Sequence, residues 1–112
     1  MSDFDDFLAQ LKKELSALAK SEVAGHVNAF LTDADQFVAE TRSDLEMWTA
    51  ELAQGQMTPE GFELAVRGKA EVLKLRALTE AGLAAVKIDR LKAAILDRVV
   101  SAAKKALLPG VA

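Results

Sequence analysis

One stretch, ELAQGQMTPEGFEL at residues 51–64, sets helix-stop and helix-start signals side by side, at the midpoint of a chain of 112 residues. Gly55 suits the position just past a helix end, where the backbone turns left-handed. Thr58 and Pro59 supply an N-cap followed by proline at the first helical position. Met57 and Phe62 have the spacing of a hydrophobic staple across that start. No comparable punctuation occurs on either side until the termini.

At the N-terminus, Ser2 is positioned to cap a helix, with Asp3, Asp5 and Asp6 in the first turn, where the helix dipole favours negative charge. At the other end Lys104 and Lys105 suit a C-terminal turn, and Pro109-Gly110 is a stop. The reading is all-α: a long antiparallel two-helix hairpin over about 2–53 and 58–108, in a single domain 1–112. Each helix is about 75 Å long if straight. Composition agrees, because 21 alanines favour helix and only eight glycines and prolines are present, too few and too clustered for the turns of a β protein.

Charge supports the hairpin. Residues 1–54 hold 11 acids against 4 bases, a net of −7, whereas residues 55–112 hold 6 acids against 10 bases, a net of +4. Folding about the central loop places Asp5 and Asp6 near Lys104 and Lys105, Glu22 near Arg90, Asp35 near Arg76 and Asp44 near Arg67. Exposed pairs of this kind contribute about 0.2–1 kcal/mol each, so they select orientation more than they stabilise.

Apolar or small residues recur every eleven positions: Phe4, Leu15, His26, Phe37 and Trp48 in one row, Leu8, Ala19, Phe30, Thr41 and Leu52 in the next. The second half repeats this with Phe62, Leu73, Ala84 and Ile95, and with Val66, Ala77, Ile88 and Val99. Eleven residues in three turns is close to the unstrained helical repeat, so the rods should pack nearly straight. The expected seam is therefore Phe4, Leu8, Leu15, Phe30, Phe37, Trp48, Phe62, Val66, Leu73, Ile88, Ile95 and Val99.

The opposite face of the second half is also apolar, with Leu64, Val72, Leu75, Leu83 and Val86. A helix that is apolar all round must be covered on both sides. One partner helix cannot do this, so the segment Leu64 to Val86 is expected to be an oligomer interface in a dimer or higher assembly. The alternative is a compact four-helix bundle with breaks at Gly25 and Gly82, although the eleven-residue spacing passes through both without a phase shift.

Functionally, the sequence points to a non-enzymatic module for self-association or protein interaction, with a structural, scaffold or adaptor role. The expected partner is a second copy of the chain, or another helical protein. An amphipathic hairpin binding a lipid or granule surface is the rival reading. Catalytic, cofactor and metal residues are not assigned: there is no cysteine, no glycine-rich phosphate loop, and one histidine, His26, whose row marks it as an interior or seam residue. Nucleic acid is not an expected partner, because acids interleave the bases of the second half and the net charge is −3. The acidic start and the short uncharged runs give the expectation of a soluble, cytoplasmic protein.

Overall fold

The computed structural model describes residues 2–108 and is all-α, with helices α1 (Asp3–Glu22), α2 (Val27–Ala53), α3 (Pro59–Arg67), α4 (Arg76–Glu80) and α5 (Ala85–Leu107). The Pro109-Gly110 stop lies outside the described residues. The central loop follows its sequence signals. Gly55 takes φ +75°, and the Gln56 and Gly55 N–H groups donate to the carbonyls of Glu51 (2.8 Å) and Leu52 (3.2 Å), a complete Schellman cap on α2. Thr58 Oγ1 then accepts from the Gly61 N–H at 2.9 Å, with Pro59 opening α3. Ser2 likewise caps α1, its hydroxyl accepting from the Asp5 N–H at 3.1 Å.

The two helices of about 50 residues are not continuous. The molecule measures 42 × 23 × 21 Å with a radius of gyration of 13.8 Å, far shorter than a rod of about 75 Å. The first break follows Val23, which leaves helical geometry at φ −138°, and a 3-10 turn over Ala24–His26 leads into α2. The second is at Gly82, which ends α4 with φ +97°. There the Leu83 N–H reaches the Leu78 carbonyl (3.3 Å) and the Gly82 N–H that of Thr79 (3.0 Å), a second Schellman cap.

A third interruption, between α3 and α4, has no glycine at its centre. The N–H groups of Lys69, Ala70, Val72 and Leu73 donate three residues back, and the chain then runs without helix to Leu75. Leu73 and Leu75 are both buried while Lys74 between them is exposed. In an α-helix residues two apart point about 200° from each other, whereas on extended chain they point the same way. Unwinding thus brings both leucines inward and resolves the apolar-all-round segment without a further helix.

The result is a bundle of four parts, in which α1 packs on α5 and α2, α4 packs mainly on α2, and α3 packs on α5 more than on α2. All twelve expected seam residues belong to this core. Leu15, Phe30, Phe37, Phe62, Val66, Leu73, Ile88, Ile95 and Val99 are buried, and Phe4, Leu8 and Trp48 pack half-buried against them. They do not form one straight seam, because the hairpin is doubled over on itself.

Candidate interaction surfaces

The expected interface residues are dispersed by this folding. Leu75 is 3% exposed and belongs to the core, so it is not a contact surface of the folded chain. Val72 and Leu83 lie half-buried against the same core. Leu64 on α3 and Val86 on the first turn of α5 remain outward, 76% and 68% exposed, and with Met47 they are the large apolar side chains exposed among the described residues.

The ion pairs keep the antiparallel sense of the hairpin but not the expected partners. Asp44 pairs with Lys69 (2.7 Å) instead of Arg67, and Glu22 with Lys87 (3.6 Å) instead of Arg90. Lys69 also lies over the Trp48 ring at 5.9 Å. Arg67 turns to Asp97 on α5 (2.6 Å) and Glu63 (3.0 Å), and these hydrogen bonds, that to Asp97 foremost, raise its pKa. A base held this way loses its contribution only as pH rises through that elevated pKa, far above neutrality, so the Arg67 clasp is constant across the physiological range. Lys105 approaches Glu14 (3.7 Å), as does Arg98 (3.8 Å), rather than lying opposite Asp5 and Asp6.

Glu14 and Asp33 are the buried carboxylates, and sequence reading singled out neither. Glu14, on α1, is 5% exposed; Gln10 donates to its Oε2 at 3.0 Å, while its Oε1 has no hydrogen bond and is faced by Arg98 and Lys105 from α5. Asp33, on α2, is also 5% exposed, and its two oxygens accept from the N–H groups of Ala77 and Leu78, each at 2.9 Å. Those are the second and third residues of α4, the donors that an N-cap ordinarily satisfies from within its own chain segment. Leu75, at the cap position, has no side chain able to do it. Asp33 supplies the cap from another helix and so fastens α4 to α2.

Beside Asp33 a cleft of about 430 Å³ runs between α2 and the α3–α4 segment, with Thr32, Gln36 and Glu40 on one wall and Lys74, Arg76 and Glu80 on the other. Its α2 wall carries the acids Asp33 and Glu40, and the other wall the bases Lys74 and Arg76 beside Glu80. His26 is exposed, at the entry to α2, and not in the interior as its row implied. The row is broken there, because Val23 and His26 both leave helical geometry and turn the imidazole outward. No cluster of three or more histidine, aspartate and glutamate side chains suited to a metal ion occurs among the described residues, and no helix among them is long and apolar enough to cross a membrane. Compared with protein-family models, curated proteins and solved structures, the chain matches none.

Proposed function

We propose that this chain is a non-enzymatic helical module, working in the cytoplasm, that associates with itself or with another helical protein in a structural, scaffold or adaptor role. The observation that supports this is the outward position of Leu64 and Val86 in a molecule that encloses nearly all its other large apolar side chains. Both lie in the segment whose apolar residues exceed what one partner helix can cover, and the fold absorbs Leu73, Leu75 and Leu78 of that segment but not these two. Leu64 stands on the short α3, capped by Thr58, and Val86 on the first turn of the long α5, and exposed aliphatic side chains of this kind suit a further helix laid in a groove against them.

The test is the mass of the purified chain by light scattering across a concentration series, beside a Leu64→Glu/Val86→Glu variant. Concentration-dependent mass in the parent that the variant weakens supports the surface. Unchanged monomer mass in both, with sedimentation on neutral or anionic vesicles that the variant loses, would replace the proposal with the lipid-surface reading.

A further inference from the structure

Resting on the reading that the chain self-associates, we infer that its two breaks form a paired hinge on which the bundle opens and exchanges halves with a second copy. The breaks are neighbours: Val23, Gly25 and His26 from the first and Gly82 and Leu83 from the second line one concavity. They are also the only covalent links between two halves of the molecule, α1 with α5 and α2 with α3 and α4.

Within each half the pairing is that of an antiparallel hairpin. Glu14 with Arg98 and Glu22 with Lys87 lie in one half; Asp44 with Lys69 and Asp33 with the α4 N-terminus lie in the other. Straightening the hinge leaves every one of these intact. The contacts between the halves are broken: α1 on α2, α3 and α2 on α5, and with them Arg67 with Asp97 at 2.6 Å and Arg42 over the Phe4 ring at 5.0 Å.

The chain is suited to straightening. The eleven-residue spacing passes both breaks unshifted, so a continuous helix keeps the inward rows aligned across them. Val23 and His26 already have negative φ, and neither Gly25 nor Gly82 has a neighbour within 4 Å of where a Cβ would stand. Two opened hairpins laid side by side restore each broken contact between copies. Each α1–α5 half then packs on the partner's α2–α4 half in a closed two-fold dimer. Only an identical chain carries all the complementary groups, which is why a second copy is the occupant. Leu64 stays outward in either form.

Two substitutions act on the hinge in opposite directions. Gly82→Ala strains the closed form at φ +97° and favours helix, by about 30-fold per chain and on the order of a thousandfold in the dimer dissociation constant. Ala84→Pro fits the closed form, where φ is −66° and ψ 149°, but blocks a helix continuing through it. Light scattering with small-angle X-ray scattering, after circular dichroism has verified folding, reads the result. The closed monomer has a radius of gyration of 13.8 Å, and an opened rod of about 75 Å cannot fall much below about 22 Å.

The expected result is an elongated dimer, enriched by Gly82→Ala and absent in Ala84→Pro. A compact dimer that Ala84→Pro leaves unchanged and Leu64→Glu/Val86→Glu dissolves would overturn the hinge and keep the surface proposed above. Monomers throughout, Gly82→Ala included, would overturn both. If Ala84→Pro fails to fold, Gly82→Ala decides alone: a compact or monomeric species at high concentration refutes the exchange.

Discussion

Replacing Asp33 by alanine removes the cap of a helix that lies 44 and 45 positions further along the chain. The Ala77 and Leu78 N–H groups each lose a 2.9 Å bond to a carboxylate that is 5% exposed. Hydrogen bonds to charged groups contribute about 1.5–3 kcal/mol, and an unsatisfied buried donor costs about 1–3 kcal/mol. Water entering through the adjoining cleft relieves part of that, so the expected loss is about 2–4 kcal/mol, above the usual N-cap figure of about 1 kcal/mol. For a domain of this size that lowers Tm by about 10–20 °C. The control is Asp35→Ala, two positions along the same helix and exposed, with an expected effect within about 0.5 kcal/mol. Thermal and urea unfolding followed by circular dichroism measure both. If the two variants melt together, Asp33 is no fastener, and the α3–α4 segment is held by its leucines alone.

Glu14→Met should leave stability unchanged or raise it by about 1 kcal/mol, because a buried carboxylate with one unbonded oxygen carries a desolvation cost that two partly exposed cations do not fully offset. A urea midpoint showing a loss beyond about 1 kcal/mol would reverse that balance. Leu75→Asp should unfold the chain, costing more than about 3 kcal/mol, whereas Leu64→Asp at a 76% exposed site should stay within about 0.5 kcal/mol. Equal losses at the two positions would contradict the placement of Leu75 in the core.

What could be read from the residues was the local chemistry and the inward rows. The central loop announced itself because Gly55, Thr58 and Pro59 each have one strongly preferred use, and all of it lies within a few positions. Most of the core positions were legible because an eleven-residue row stays inward on a straight stretch, although the bends expose His26 and Ala84 and leave no single seam. The bend itself was harder. Breaks at Gly25 and Gly82 stood only as the alternative, and the structure has interruptions at both; at Gly82 a further signal existed, since Leu78 and Leu83 stand at the spacing of the apolar contact that accompanies a Schellman cap. At Leu73 to Leu75 the ambiguity is physical. A segment apolar on both faces satisfies a helix covered twice or an unwound chain covered once, and the choice depends on Asp33, far away in sequence. His26 shows the reverse error, a position assigned by counting through a turn where the count does not hold.

The pairing of α1 with α5 bears on how the chain acquires its structure. Among the described helices α1 has for its main partner α5, far along the sequence, so nothing local can complete that half. The α2–α4 half is joined by a short, strongly capped loop and can form as soon as its own residues exist, whereas joining α1 to α5 requires closing nearly the whole chain. While α5 is still being synthesised, the apolar stripe of α1, with Phe7, Leu11 and Leu18, has only α2 to cover it.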